Sequence, residues 1–324
     1  MTPSLPSPVT PPPNWVASSH PLGWLIDRLL SVEPFRRVLF QQARQLIIRT
    51  AERRGIAWRD RREELKAEAE PLLPAMVKAS VRTPAYYRAR FHAYDEGNLC
   101  WEAACEAEQA TDAMALRVWP GEVLAPLEAQ QRLRASIHAV IEPSLTGPLR
   151  STLDMGCSVG VGTLALKAWL QQRQAEEAIV EGLDLSPQML AVAKVRDRRG
   201  AIHRWHHAAA EDSGLPASSF DLITMLFVCH ELPSPATRAV LREASRLLRP
   251  GGVVALVDQD PASEVIRRLP APVATLLKST EPYLEDYFSL DLPGTLREVG
   301  FTAIRHGACD PRHRVLVATR SDGL

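Results

Sequence analysis

A glycine-rich turn near the middle of the chain limits its fold more than any other stretch. Residues 151–163 read Ser-Thr-Leu-Asp-Met-Gly-Cys-Ser-Val-Gly-Val-Gly-Thr, a short apolar run followed by a turn and the beginning of a helix. Gly156, Gly160 and Gly162 let the backbone turn tightly and approach a ligand closely, because they lack a Cβ. The first N–H groups of the helix favour the polar end of a ligand. The pattern predicts the nucleotide-facing corner of a βαβ unit.

A second apolar run, residues 178–184, ends in Asp184 and leads into a helix at Pro187. An acidic side chain at the end of a second strand is placed to accept hydrogen bonds from ribose hydroxyls. Two other interpretations of the glycine turn remain open here. Gly156-Cys-Ser158-Val-Gly160 also matches the nucleophile elbow of serine hydrolases, with Asp258 and His306 or His313 following in the required order. The glycines also loosely match a dinucleotide fingerprint, with different spacing.

Four motifs in order resemble those of the class I S-adenosylmethionine-dependent methyltransferases. They are Leu153-Asp-Met-Gly-Cys157, Gly182-Leu-Asp-Leu-Ser-Pro-Gln-Met-Leu190, Phe220-Asp-Leu-Ile223 and Leu247-Leu-Arg-Pro-Gly-Gly252. The resemblance covers residues 131–262 and implies an α/β, Rossmann-like fold with a mostly parallel seven-stranded sheet, helices on both faces and an N-terminal helical extension. It implies S-adenosylmethionine as the cofactor and methyl transfer to a small-molecule acceptor. Ser158 departs from the family, which usually has glycine there, but serine is small enough that we expect binding to survive.

The resemblance also assigns cofactor contacts by position. They are Asp154, Gly156, Cys157, Ser158 and Gly160 in the turn, Asp184, Leu185 and Met189 after the second strand, Ala210, Glu211 and Asp212 in the adenine-facing loop, and Phe227 at the end of the fourth strand.

Candidate catalytic residues follow the fourth predicted strand. Residues 220–228 are almost continuously apolar, which is typical of a strand buried on both faces, and Cys229-His-Glu231 comes next. Ligands of open α/β sheets bind beyond the carboxyl ends of the strands. His230 and Glu231 are therefore predicted to lie where methyl donor and acceptor meet, as a general base or substrate anchor. A loop that only closes over the cofactor is the alternative.

Aromatic side chains crowd together between residues 83 and 101, although only 6% of the chain is aromatic. The stretch holds Tyr86, Tyr87, Phe91, His92, Tyr94 and Trp101. We predict a lid over the acceptor pocket, in which His92, Tyr94 or Asp95 touches the substrate. The alternative is an aromatic mini-core that joins the helical region to the sheet domain. The stretch resembles plastid and cyanobacterial methyltransferases, a resemblance that supplies no substrate. By analogy with quinone-type methyltransferases, the rings favour an aromatic or lipophilic acceptor.

The chain divides by composition into three parts. Prolines crowd residues 1–20, which predicts a disordered tail. Helical spacing predicts a helical and lid region over residues 21–130, and residues 131–324 form the cofactor-binding domain. Residues 302–308 and 313–319 predict two closing strands. The basic helix around residues 36–50 is expected to pack on the core, with peripheral membrane contact as the alternative.

Composition excludes several classes of protein. Lys and Arg together number 38, as do Asp and Glu, so no overall field draws the chain to nucleic acid. No apolar run is long enough for a membrane span. Five cysteines without a C-x-x-C pair indicate a reducing compartment, the cytoplasm or a plastid stroma.

A metal site is not expected from the histidine-rich third strand. His203, His206 and His207 lie close in sequence, but strand alternation sends neighbouring side chains to opposite faces. A module that binds the cofactor without catalysis remains the main alternative to an enzyme.

Overall fold

The computed structural model describes residues 12–13, 15–16, 21, 24, 28, 32–92, 94 and 96–321. Asp95 and most of the predicted tail lie outside the described residues. Within that tail, Trp15 is described: it is only 5% exposed and donates its indole N–H to the Ile266 carbonyl at 2.8 Å. One large ring gives this residue the apolar area that the surrounding prolines lack.

A seven-stranded sheet forms the centre of the molecule, in the order β3-β2-β1-β4-β5-β7-β6. The strands are β1 (Ser151–Met155), β2 (Ile179–Asp184), β3 (Arg204–His207), β4 (Phe220–Leu226), β5 (Leu248–Gln259), β6 (Phe301–Ala308) and β7 (His313–Arg320). Strands β1 to β5 are parallel, and β7 runs antiparallel to both β5 and β6. The mostly parallel sheet and both predicted closing strands are confirmed.

Helices cover the sheet, and further helices come before its first strand in the chain. The described helices are α1 (Glu33–Arg53), α2 (Trp58–Ala69), α3 (Leu73–Met76), α4 (Trp101–Val118), α5 (Pro126–Ile141), α6 (Val161–Arg173), α7 (Pro187–Arg196), α8 (Ser234–Leu247), α9 (Glu264–Arg267), α10 (Ala271–Thr280), α11 (Leu284–Ser289) and α12 (Leu292–Glu298). Short 3₁₀ turns occur at Ala85–Arg88 and Cys229–Glu231.

Two hydrophobic clusters lie on opposite faces of the sheet because side chains alternate along each strand. On β4, Ile223 and Met225 pack in the cluster that includes α8, whereas Leu222 joins the cluster that includes α5 and α6. Burial on both faces explains the apolar sequence of this central strand.

The N-terminal helical region packs directly on the sheet domain. Ile48 of α1 and Trp58 of α2 share a cluster with sheet residues, and Leu65 of α2 shares another with Met189 beside the glycine turn. The predicted boundary at residue 131 falls inside α5. The helical region thus shares hydrophobic cores with the sheet domain.

Surface features bear on membrane contact. In the described part of the chain, no helix is long and apolar enough to cross a membrane. Helix α1 leaves Phe35, Leu39 and Leu46 exposed, so peripheral contact through this helix stays a prediction.

Candidate functional site

A cavity of about 620 Å³ opens at the carboxyl ends of β1, β2 and β4. The glycine turn and the end of β2 form one wall, and the 3₁₀ turn Cys229–Glu231 borders another. Helices α1, α4 and α10 supply the remaining sides. This is the edge of a parallel sheet at which ligands bind.

The glycine turn has backbone angles that require small residues. Gly156 has φ +77°, and a Cβ there would lie 2.6 Å from a methyl carbon of Val228. Ser158 also has a positive φ, +50°, at the position where glycine was expected. Its N–H donates to Asp184 Oδ2 at 2.7 Å, which offsets part of the strain. Serine at 158 is thus compatible with the turn.

Asp184 accepts hydrogen bonds from the two loops that border the cavity, the glycine turn and the turn after β2. Besides the Ser158 N–H, its carboxylate accepts the Ser186 N–H at 2.8 Å. Burial raises the pKa of the Asp184 carboxyl to about 6, against the lowering effect of these backbone donors. Its position at the end of β2, on the cavity wall, is the one predicted for a ribose contact.

Asp154 has an internal role in the turn. Its two oxygens accept hydrogen bonds from the hydroxyls of Thr163 and Thr224, each at 2.7 Å. The residue is 2% exposed, although it borders the cavity. These bonds tie β1 to β4 and to the first turn of α6, so Asp154 holds the shape of the turn.

Arg134 of α5 was missed by the sequence analysis. It is 7% exposed, lines the cavity and lies near Asp154 and the ring of Phe227. Its Nε and Nη1 find no acceptor among the described residues. Burial lowers the pKa of its guanidinium to about 10, which leaves it cationic at neutral pH. A buried cation with free donors is costly unless an anion pairs with it.

The cavity lining also includes a polar cluster. His92 Nε2 lies 2.9 Å from Glu281 Oε1 and 3.6 Å from Glu231 Oε1. His230 Nε2 lies 3.8 Å from Glu281 Oε2. The cluster therefore joins three chain segments that are far apart in sequence, and all four side chains line the cavity.

Hydrogen bonds on the far sides of both imidazoles fix their ring orientation. His230 Nδ1 lies 2.8 Å from an oxygen of Asp258, which only accepts, so this nitrogen carries a proton. Asn98 donates through Nδ2 to Glu231, which turns its Oδ1 toward His92 Nδ1 at 3.0 Å. Each ring thus presents Nε2 to the carboxylates.

The carboxylates determine the charge of both rings. Burial lowers the pKa of His92, but Glu281 and Glu231 outweigh it and raise it to about 10. Burial also lowers the pKa of His230, but Asp258 outweighs this effect and raises the pKa to about 9. Burial raises the pKa of Glu231, and its two histidine neighbours lower it.

Not every predicted site residue reaches the cavity. Seven of the predicted cofactor residues line it, namely Asp154, Gly156, Cys157, Ser158, Asp184, Met189 and Phe227. The Leu185 carbonyl instead lies 3.1 Å from His207 Nε2, and the Glu211 carboxylate accepts the Tyr86 hydroxyl. Neither these two residues nor Gly160, Ala210 and Asp212 belong to the described lining. Their cofactor contacts stay predictions.

His92, His230 and Glu231 come together as predicted candidates, and Tyr94 also lines the cavity. Its hydroxyl donates to Glu106 at 3.0 Å, and its ring faces Arg44 of α1. In the aromatic stretch, Tyr87 lines the cavity while Phe91 is fully buried, and the lid stays a prediction.

Among the described residues, those that the nucleophile-elbow interpretation needs do not form a triad. The Ser158 hydroxyl lies 3.4 Å from Met189 Sδ, and Asp258 holds His230. His313 pairs with Asp310 instead. His306 lies exposed on β6. The residues that such a hydrolase needs therefore do not come together.

Apolar side chains line another part of the cavity. They come from three helices: Phe40, Ala43 and Ile47 from α1, Ala107, Ala110 and Met114 from α4, and Val273, Leu276 and Leu277 from α10. The helical spacing of each set is visible in the sequence, but that the three faces meet is not.

Comparisons with known proteins agree with the geometry. Residues 153–256 match the methyltransferase domain family. An uncharacterized methyltransferase of Synechocystis sp. is 28% identical over 165 residues, which cover 51% of this chain and 73% of that protein. A ubiquinone biosynthesis O-methyltransferase of Sodalis glossinidius is 30% identical and covers 44% of this chain. A demethylmenaquinone methyltransferase of Bacillus licheniformis is 30% identical and covers 33%.

The chain spans 54% and 44% of the length of the last two relatives. The matched residues hold the glycine turn, Asp184 and the strand that leads to His230, which are the parts that form the cavity edge. Residues 153–256 form a methyltransferase domain of the class I S-adenosylmethionine-dependent type.

Proposed function

We propose that this chain methylates a hydroxyl group at the polar end of a small, largely apolar acceptor. One observation carries the proposal. A single cavity joins the glycine turn, the polar cluster of His92, His230, Glu231 and Glu281, and the apolar wall from α1, α4 and α10. The methyl donor would bind at the glycine turn, the acceptor hydroxyl at the polar cluster, and the apolar body of the acceptor at the apolar wall.

The residues on the cavity wall fit the cofactor. S-adenosylmethionine supplies an electrophilic methyl group on a sulfonium. Asp184 would hold the ribose hydroxyls, and the unpaired Arg134 guanidinium would pair with the carboxylate of the methionine part. A carboxylate there satisfies donors that otherwise stay buried without a partner.

Replacing Arg134 with glutamine should weaken S-adenosylmethionine binding about tenfold, the effect of one charge-assisted hydrogen bond. Isothermal titration calorimetry measures this. 5′-Methylthioadenosine, which lacks the amino acid part, serves as the control ligand, and its affinity should be the same in both proteins. An equal loss for both ligands would contradict the assignment.

The chain's own groups would align the acceptor. Glu231 and His230 lie on the turn after β4, where they would anchor the acceptor hydroxyl and hold it toward the glycine turn. The Tyr87 hydroxyl donates to Glu231 at 3.2 Å. The Tyr87 side chain would limit the space between the acceptor hydroxyl and the glycine turn. Alignment and exclusion of water account for most of the catalysis that such a displacement needs.

Two measurements test the proposal in sequence. Calorimetry should show micromolar binding of S-adenosylmethionine, with NADH and an ester as control ligands. Transfer of a labelled methyl group is then assayed with hydroquinones and phenols of increasing alkyl length, because two relatives are named as quinone-pathway methyltransferases. Cofactor binding without turnover of any acceptor that has a hydroxyl would contradict the proposal.

Narrowing the apolar wall should affect the acceptor alone. Ala110 lies on α4 at the cavity wall, and phenylalanine there would fill part of the volume. Ala110→Phe should raise the KM for a long-chain acceptor by about tenfold, the cost of about two buried methylene groups, with unchanged cofactor affinity. The KM for a short phenol should change little. Equal effects on long and short acceptors would place the acceptor elsewhere.

A further inference from the structure

We propose that His92, His230 and Glu281 form a binding site for a divalent transition-metal ion on the acceptor side of the cavity. The binding itself stands on the geometry below. Its catalytic role rests on the proposed function, since it concerns the same acceptor hydroxyl.

The candidate ligand atoms of the three side chains lie close together. The separations are 2.9 Å between His92 Nε2 and Glu281 Oε1, and 3.8 Å between His230 Nε2 and Glu281 Oε2. The atoms of the trio all fall within 4.8 Å of one another. Ligands about 2.1 Å from a common ion are about 3.0 to 3.4 Å apart at octahedral or tetrahedral angles. Small side-chain rotations would bring this trio into that range.

Both histidines have the outer hydrogen bonds that metal-binding imidazoles usually have. His230 donates from Nδ1 to Asp258, and His92 donates from Nδ1 to Asn98. Such a partner fixes the ring so that Nε2 is the coordinating atom. The ion would replace the proton that the neighbouring carboxylates hold on each Nε2, so binding would release protons. The His230 N–H of the main chain also donates to Asp258, at 3.1 Å, which holds the ring and its backbone together.

Glu281 supplies an independent sign of a missing ligand. The residue is 6% exposed, and its Oε2 finds no hydrogen-bond donor among the residues described. A buried carboxylate oxygen without a partner costs free energy. A cation between the imidazoles and this oxygen would satisfy it.

The donor set selects the kind of ion. Two imidazoles and one carboxylate favour ions such as Mn²⁺, Fe²⁺ or Zn²⁺ over Mg²⁺ or Ca²⁺, which prefer oxygen ligands alone. Three protein ligands leave coordination positions open toward the cavity, as in catalytic sites. Four protein ligands would instead close a structural site.

The position suits activation of the acceptor. An ion in this trio would withdraw electron density from an acceptor hydroxyl beside it and ease the loss of its proton. The proton would pass to the Glu231 carboxylate, and the electron pair of the O–H bond would stay on the oxygen as the nucleophile. Glu231 Oε1 lies 3.6 Å from His92 Nε2, next to the trio.

Calorimetry with ZnCl₂ on the full chain, stripped with EDTA, tests the binding. We expect one Zn²⁺ per chain, and Glu281→Gln and His230→Asn should each weaken it at least tenfold. Loss of the free Mn²⁺ signal in electron paramagnetic resonance gives a second readout. His306→Asn is the matched control, because this histidine lies exposed on β6 and should change nothing.

Titration of S-adenosylmethionine into the same samples separates the two proposals. Unchanged cofactor affinity in Glu281→Gln would show that the variant is folded. Zn²⁺ binding that is absent, or equal in wild type and both variants, would overturn the metal site while the proposed function stands. Failure of the wild type to bind the cofactor would instead overturn the proposed function.

Discussion

Replacing Asp184 with alanine is expected to weaken S-adenosylmethionine binding about a hundredfold, the effect of losing one or two hydrogen bonds to a charged group. The carboxylate would lose its contact with the ribose. The N–H groups of Ser158 and Ser186, which it accepts at 2.7 and 2.8 Å, would also be released. Calorimetry measures the affinity, and the melting temperature checks the fold.

Glu181→Ala is the matched control on the same strand. Glu181 lies 2.9 Å from His206 Nε2 and does not belong to the described lining of the cavity, so its loss should leave cofactor affinity unchanged. Burial raises the pKa of Asp184 to about 6, so the carboxylate is ionised above that pH. Affinity of the wild type should therefore fall as the pH drops from 7 to 5, and Asp184→Ala should lack this fall. Unchanged affinity in Asp184→Ala would contradict the ribose assignment.

Replacing Glu106 with alanine is expected to lower the free energy of unfolding by about 3 kcal/mol, near the lower end for breaking a buried ion pair. Its side chain is 0% exposed and accepts from Arg44 at 2.6 Å, Arg62 at 3.3 Å and the Tyr94 hydroxyl at 3.0 Å. The variant would leave the buried Tyr94 hydroxyl without an acceptor. The arginines keep partial access to water, which limits the loss. Urea unfolding measures the change.

Glu102→Ala on the same helix is the control for the Glu106 variant. Glu102 also pairs with Arg44, at 2.5 Å, but 46% of its side chain is exposed. An exposed pair contributes little, so the change should stay within about 0.5 kcal/mol. Equal effects of the two substitutions would show that burial does not set the strength of this network.

The sequence predicted the parts of the site that lie at the ends of strands. The turn at residues 151–163, Asp184 and the residues after β4 were placed correctly on the sheet, because parallel strands bring their carboxyl ends to one edge. Local pattern is sufficient there, since each strand and its following turn are continuous in sequence.

Arg134 and Glu281 could not be found in this way. Each is one charged residue among many on a helix or a helix end, and nothing local distinguishes it. Their importance comes from burial without a full set of partners, which is a property of the packed molecule. Tyr94, a candidate from its neighbours in sequence, also lines the cavity, but only the structure shows that its hydroxyl pairs with Glu106.

The sequence by itself determined the strands and the glycine turn, because these depend on periodic burial and on backbone angles that few residues adopt. The cofactor class came from the resemblance of four motifs to the class I methyltransferases. Only the tertiary structure decided which side chains meet across the cavity. His92, His230 and Glu281 belong to segments separated by more than fifty residues along the chain. Their contacts depend on how helices and loops pack on the sheet, and distances between such segments leave no periodic signal in the sequence.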